Sequence, residues 1–425
     1  MAAASAPRAA LVTVGSELLL GIVPDTNSSF MARRLADLGV DVDLVMNVAD
    51  DVSAVSGAIG QAALARRLVI VSGGLGPTFD DVSREGMATA LGLSLVRQDE
   101  AARAVADRYA SWGKETPDFA LKQADVLEGA TLLPATVGTA PGQVLERRGV
   151  CYVLLPGVPA ELRRMFADSL APWLRRGLGL VDRRRARTLR LTGMYEGDVH
   201  TAVEPVREMH PHVRFTVLSY PEEVHVVVFD PLDESGGPSL DRVVADTEEV
   251  LGEAVFGKDE QTLEGTVIGL LAAADRTVAT AESCTGGLLA KRLTDVPGSS
   301  SAFLGGIVAY SGEAKRDWLS VSGQLLDDYG QVSSPVASEM AAHVRLSRRS
   351  TYGLALTGIA GPAGGTSDKP VGLVHLALAS EEGVTSARRV FPGDRDGVRQ
   401  RASQVALDML RRAVAEHIGG RRLRA

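Results

Sequence analysis

At 425 residues the chain is longer than one ordinary hydrophobic core can fill, and at roughly 100–200 residues per domain two or three domains are expected. Hydrophobic residues make up 45% and charged residues 23%, and no apolar run approaches the roughly 18 residues that a membrane span requires, which leaves a globular chain with no transmembrane helix. The net charge of -8 argues against a mainly electrostatic nucleic-acid binder.

The opening MAAASAPRAALVTVG has no charged segment followed by a separate apolar core, so no signal peptide is expected. ALVTVG, Ala10 to Gly15, then reads as a buried strand, and SSFMARRLADLG, Ser28 to Gly39, as a helix closed by a glycine. VDVDLVMNV is a second strand, Ser53 to Arg66 a second helix, and RLVIVSGG a third strand running into a glycine loop. This alternation predicts a doubly wound α/β domain, whose ligands sit at the carboxyl ends of the strands. Two of those ends, GSELLLG and SGGLGPTFDD, are unusually polar.

After PGVPAELRRMFADSLAPWL the composition shifts to the arginine-dense RRGLGLVDRRRARTLRLTG. HVRFTVLSYPEEVHVVVFD predicts two strands turning at Pro221; the turn-rich PLDESGGPSL and a helix from Asp241 to Leu251 complete an α+β module of about 80 residues. The arginine run reads as a solvated face, and nucleic acid is not expected as a partner: there is no GxxG clamp, and GMYEGD is acidic where a phosphate grip should be basic.

From Thr262 a second α/β alternation begins. It predicts a helix, the strand RTVATAES, the helix TGGLLAKRLTD, the strand GIVAYS, a helix from Glu313, and the helix SSPVASEMAAHVRL. The strands GLALTGIAG, GLVHLALAS and ARRVFPG and a helix from Arg395 follow. Domains are therefore expected at 1–171, 172–258 and 259–425. The two cysteines, Cys151 and Cys284, supply neither a disulfide framework nor zinc spacing, and a cytoplasmic protein is expected.

In the first domain, Gly73, Gly74 and Gly76 let backbone N–H groups face a ligand, and the helix start near Thr78 favours an anion. Asp80 and Asp81 read equally as first-turn residues complementing the helix dipole or, with Glu17 and neighbouring Asp25 and Asn27, as oxygen ligands for a divalent metal.

VTVGSELLLG, SGGLGPTFDD, VGTAPG and LLPGVPAEL resemble the molybdopterin-binding-like domain of the CinA (competence/damage-inducible protein A) family. AESCTGG, GSSSAFLGGIVAYSGEAK, TGIAGPAGG and KPVGLVHLAL resemble that family's C-terminal amidohydrolase domain, so the resemblance covers nearly the whole chain in order. It implies a nicotinamide-nucleotide amidase at the C-terminus, a KH-type fold between the two ends, a homodimer, and in some members an ADP-ribose pyrophosphatase at the N-terminus. The first loop departs from the cofactor-synthesis relatives, which tend to carry threonine after the second glycine of GGLGPT, and this weakens a molybdopterin-carrier reading. GMYEGDVH also departs from the family's more usual glycine-isoleucine-glycine-glutamate-serine.

Carboxamide hydrolysis needs a nucleophile, a base active near neutral pH, oxyanion donors and a proton for the departing ammonia. A lysine desolvated by apolar neighbours can be the base for a serine. Ser283, at a strand-to-helix turn, and Ser300 are both candidates for the nucleophile; the resemblance implies Ser300, with Lys315 as base and Tyr310 as a proton relay. Ser283 is then a helix N-cap or a substrate ligand. Cys284 reads as a small buried residue, and His343 and His375 as structural.

The helix start after ESCTGG, with Ser283, Thr285 and Gly286, is expected to bind a nucleotide phosphate, with Arg395 pairing to it. Thr357 and Gly358 are expected to hold the carboxamide oxygen or ribose. No metal is expected in this domain. The substrate expected is nicotinamide mononucleotide, with ADP-ribose for the first domain; the competing class is a non-enzymatic binding protein of competence and recombination.

Overall fold

The computed structural model describes residues 7–180, 186–230 and 239–422. It divides into two compact units, Met1–Arg185 and Ala186–Ala425.

The first unit runs β1 (Arg8–Val14), α1 (Ser16–Leu19), α2 (Thr26–Asp37), β2 (Asp41–Val48), α3 (Val52–Ala62), β3 (Leu68–Ser72), α4 (Ser83–Leu91), β4 (Leu95–Arg97) and α5 (Asp99–Ser111). It continues through β5 (Asp125–Leu127), β6 (Thr131–Leu133), β7 (Gly142–Arg147), β8 (Val150–Leu155), α6 (Pro159–Met165) and α7 (Ala171–Leu178). Six strands form one sheet in the order β2-β1-β3-β8-β7-β6, parallel from β2 to β8 and antiparallel beyond. β1 beyond Arg8 and all of β3 are buried and mostly apolar because they are covered on both faces. Leu11 and Ile70 meet Met31, Leu35 and Phe166 on one side, while Val12 and Val71 meet Val55, Ile59 and Met87 on the other. α7 buries Ala171 and Leu174 in the same cluster as Phe166, so the first unit continues past the expected boundary at 172.

The second unit opens with β9 (Ala186–Thr192), α8 (Glu196–Met209), β10 (Arg214–Tyr220), β11 (Glu223–Phe229), α9 (Leu240–Leu251) and β12 (Val255–Lys258). These form an antiparallel sheet, β10-β11-β9-β12, with Leu189, Leu191, Val203 and Val243 in its core. The hairpin and α9 match the sequence expectation. β9 and α8 were not expected, because arginines interrupt the apolar alternation of β9 and Pro205 lies inside α8. Residues 181–185 of the arginine run and 231–238 of the turn-rich stretch lie outside the described residues.

The remainder comprises α10 (Leu263–Ala273), β13 (Val278–Glu282), α11 (Leu288–Thr294), β14 (Phe303–Val308), α12 (Gly312–Leu319), α13 (Gly323–Tyr329) and α14 (Ser334–Arg348). β15 (Tyr352–Gly358), β16 (Leu373–Ser380), β17 (Gly383–Val390) and α15 (Arg395–Arg422) complete it. Its sheet has the order β14-β13-β15-β16-β17, with β13 parallel to both neighbours and the last three strands antiparallel. α10, α11 and α15 cover one face; α12 and α14 cover the other, over a floor of Ala279, Ala281, Ala355 and Ala377. The small alanines let α14 lie close to the sheet.

The two sheets of this unit are joined through α15. Arg401 pairs with Glu222 at 3.1 Å, Gln404 donates to Glu223 at 3.2 Å, and Arg411 donates to the Glu253 carbonyl at 2.8 Å. The expected boundary at 258/259 therefore separates two sheets within one compact unit.

Candidate functional site

β13 ends at Glu282, paired with Leu356 of β15, so Ser283 stands beside Thr357 at the carboxyl ends of two parallel strands. Ser283 lies two residues beyond Ala281 and Thr357 two beyond Ala355, and alternation puts both on the face covered by α12 and α14. The Ser283 N–H is held by the Leu356 carbonyl at 3.0 Å, which fixes the serine at the strand end.

Lys315, on α12, reaches into this corner. Its side chain is 1% exposed, and Nζ donates to Ser283 Oγ at 2.9 Å and to the Ala309 carbonyl at 3.0 Å. Burial lowers the amine to about 8, because removing water penalises the charged form. Near neutral pH a fraction of Lys315 is thus an unprotonated amine within hydrogen-bonding distance of a serine hydroxyl. Cys284, next in the chain, is also buried, but there desolvation pushes the thiol up to about 11, so it remains protonated and is not a thiolate nucleophile.

The pairing of Ser300 with Lys315 implied by the resemblance is not found. Ser300 lies in the turn Ser299–Ser301 before β14, is exposed, and sits at the opposite end of the sheet from Ser283. Phe303 pairs with Val278, whereas Val308 pairs with Glu282. The two serines are therefore separated by about five residues of strand, roughly 16 Å at about 3.3 Å per residue. Ser301 donates its hydroxyl to Gly298, as a turn residue does.

Tyr310 and Arg395 meet each other rather than the lysine: Arg395 donates to the Tyr310 hydroxyl at 2.6 Å and to the Gly361 carbonyl at 2.8 Å. They lie after β14 and at the start of α15, on the same end of the sheet as Ser283. Thr357 is fully buried and donates to the Gln331 carbonyl at 2.8 Å, leaving only its oxygen lone pairs for another group. At Gly358 an added Cβ would come within 2.6 Å of the Leu373 carbonyl, so this glycine serves the close approach of β15 to β16.

The turn after Ser283 also differs from expectation. Gly286 and Gly287 adopt left-handed backbone, φ 59 and 91, and turn the chain so that the Gly287, Leu289 and Ala290 N–H groups all point at the buried Glu282 carboxylate, at 2.8–3.1 Å. The helix start expected to hold a phosphate is filled by the protein's own acid. Thr285 is fully buried, with its hydroxyl unpartnered and its carbonyl held by Arg399 at 2.9 Å. The sequence reading missed Glu282, although an acid immediately before a glycine turn and a short helix was the available signal.

In the first unit, Gly73, Gly74, Gly76, Thr78 and Asp80 line one cleft of ≈ 710 Å³, together with Glu17, Asp25 and Asp50. Gly73 is indispensable to the turn: its φ is 102, and a Cβ there would lie 2.2 Å from the Val14 carbonyl. The loop's donors turn inward. Asp81 accepts from the Gly76 N–H at 2.7 Å, the Thr78 N–H at 2.8 Å and the Thr78 hydroxyl, and the buried Arg84 holds the carbonyls of Leu75 and Gly76 at 2.7 and 2.8 Å. Asp80 is exposed, and hydrogen bonding from Thr78 keeps its carboxyl below the ordinary range.

Asp25 caps α2 through the Ser28 N–H at 2.9 Å, and Asn27 spans to the Gly157 carbonyl at 2.7 Å with its own oxygen buried and unpartnered. Among the described residues no three acids, histidines or cysteines are gathered closely enough to hold a metal ion. Glu17, Asp80 and Asp81, the expected metal ligands, all line the cleft, and Asp81 is engaged by the N–H groups of its own loop.

The CinA C-terminal domain model matches residues 260–414, and that of a probable molybdopterin binding domain matches residues 10–176. The chain is similar to a putative competence-damage inducible protein of Desulforudis audaxviator, 41% identical over 92% of this chain and 95% of that protein. It is also similar to a CinA-like protein of Koribacter versatilis, 40% identical over 95% and 99% of the two chains. Among solved structures, a competence/damage inducible protein of Agrobacterium tumefaciens is 41% identical, covering 36% of this chain and 93% of that one, at a TM-score of 0.35.

Proposed function

The chain belongs to the CinA family of competence/damage-inducible proteins, and on that premise we propose that its second unit hydrolyses the carboxamide of nicotinamide mononucleotide to nicotinic acid mononucleotide and ammonia. The observation that carries this reading is the buried Lys315 amine, lowered to about 8 and 2.9 Å from Ser283 Oγ. Burying a charged lysine is costly, and an amine left partly neutral in this way beside a hydroxyl fits nucleophile activation.

Ser283 is the nucleophile and Lys315 the base. Neutral Nζ takes the hydroxyl proton as Oγ bonds to the amide carbon. The resulting tetrahedral centre expels ammonia with the proton that Lys315 returns. Water, deprotonated by the same amine, then attacks the ester and restores Ser283, releasing the carboxylate. Tyr310 and Arg395 border the same end of the sheet and orient substrate there.

For the first unit the reading is narrower. A glycine-floored cleft of ≈ 710 Å³ supports binding of a nucleotide such as ADP-ribose. Its cleavage depends on a divalent cation that the described side chains do not gather by themselves.

The test is ammonia release by the purified protein from nicotinamide mononucleotide beside free nicotinamide. Release from the nucleotide alone is expected. Equal turnover of free nicotinamide removes the nucleotide from the reading, and no release from either removes the amidase.

A further inference from the structure

The strand register places one more group in line with the reacting serine. Ser283 stands beside Thr357, Thr357 pairs with His375 of β16, and His375 pairs with Arg388 of β17. Directly paired residues share a face, so all four form a row across the sheet on the side covered by α14. At about 4.8 Å per strand, His375 lies roughly 10 Å from Ser283.

His375 is 8% exposed, and its Nδ1 is buried with no hydrogen-bond partner. A buried polar atom left unpaired is costly unless something fills it. Above it lies the start of α14. Gln331, just before that helix, accepts from Thr357, and Ser334 donates to Ser386 of β17 at 3.0 Å, which places the helix start over the strands flanking β16. No side chain caps this helix: Ser333, its N-cap, gives its hydroxyl to the Gly330 carbonyl instead. Apart from Pro335, which has no N–H, its first-turn N–H groups are therefore left without a side-chain cap and give this end of the helix partial positive charge.

The surrounding side chains have the same sign. Among the described residues Arg388 makes no ion pair, and the Lys369 amine donates to the Tyr329 carbonyl at 2.6 Å without an acidic partner. Burial, then the nearby Arg388 and Lys369, hold the imidazole below its ordinary range, so it is a neutral donor in a positive setting.

We propose that His375, Arg388, Lys369 and the first turn of α14 form the subsite that receives the phosphate monoester of the amide substrate. This rests on the amidohydrolase reading, and it relocates the phosphate from the start of α11, which Glu282 fills. The roughly 10 Å from Ser283 to His375 is comparable to the distance between the carboxamide and the phosphate of a mononucleotide.

The experiment has two arms. In the first, the full-length protein deamidates nicotinamide mononucleotide and the corresponding riboside, which lacks the phosphate. His375→Phe is expected to lower the ratio of kcat/KM for nucleotide over riboside about tenfold, through KM, and Arg388→Gln, on the exposed edge strand, about threefold. Inorganic phosphate should compete with the nucleotide and not with the riboside. In the second arm, inorganic phosphate is titrated into protein carrying 15N-labelled histidine. The resonances missing from His375→Phe, or displaced in Arg388→Gln should His375→Phe not fold, are expected to shift.

An unchanged ratio in both variants, with no histidine shift on adding phosphate, overturns the subsite. Absence of ammonia release from either substrate overturns the amidase reading alone, and the phosphate titration then decides the subsite. A shift with free phosphate but no competition against the nucleotide also overturns the proposal, since the anion held would not be the substrate's own.

Discussion

Each unit of the molecule carries a strand that runs into a glycine turn and then a helix, and each fills that turn with its own carboxylate. After β3, Asp81 gathers the N–H groups of Gly76 and Thr78; after β13, Glu282 gathers those of Gly287, Leu289 and Ala290. The difference is in what stands beside the filled turn. The first unit keeps its acid half-buried in the lining of a cleft, whereas the second buries its acid completely and puts a serine and a desolvated lysine next to it. A glycine-rich loop at a strand end is thus a way of turning the chain, and the side chain that closes it decides whether the loop binds a ligand or positions a neighbour.

The comparison breaks most decisively at the dyad. Ser283→Ala and Lys315→Met should each lower ammonia release by about 10³-fold or more, and together by little more than either alone, because a nucleophile and its base act as one unit. Ser300→Ala should stay within a few-fold of the parent. Loss of turnover in Ser300→Ala with normal rates in Ser283→Ala would return the nucleophile to the turn before β14.

The pH profile gives the next largest effect. A neutral amine base requires kcat/KM to rise with pH through about 8, and no such limb should remain in Lys315→Met. Stability must move the same way. The unfolded lysine holds its proton to its ordinary 10.5 and the folded one only to about 8, so the unfolded state binds more protons between those values. Unfolding free energy should therefore gain a contribution from Lys315 as pH rises from about 8 to about 10.5, and denaturant titrations of Lys315→Met should lack it.

The two carboxylates sharpen the contrast directly. Glu282→Gln should cost about 2–3 kcal/mol by urea unfolding, since a buried charge-assisted set of three donors is disrupted, and Asp81→Asn no more than about 1 kcal/mol, since water reaches that loop. Similar losses would mean that burial does not distinguish the turns. Smallest of all, Tyr310→Phe should reduce turnover only a few-fold, because Arg395 keeps its bond to the Gly361 carbonyl.

Much of the fold is legible in the sequence, because short β-branched runs such as LVIVS and VATAE, bounded by turn residues and alternating with helical periodicity, read as covered strands. β9 and α8 escape it because local arginines and an internal proline mask the periodicity that tertiary packing still uses. The lysine of the candidate site is legible because it follows an apolar, glycine-rich stretch that ends in Tyr310 and Ser311, although its burial is visible only in the structure. Its partner is not legible, because Ser283 and Ser300 are equally plausible in one dimension and only the parallel pairing of β13 with β14 puts them at opposite ends. His375 looked like filler within a strand; its meaning lies in its neighbours on β15 and β17.

α15 spans Arg395 to Arg422, about 42 Å at about 1.5 Å per residue. It begins at the tyrosine beside the candidate site and further along accepts the hairpin tip of the four-stranded sheet through Glu222 and Glu223. For anyone dissecting the protein, this makes residue 259 a poor place to cut. A fragment beginning there would strand Arg401, Gln404 and Arg411 without their partners on the helix that anchors Arg395, whereas one beginning at Ala186 keeps every one of those bonds.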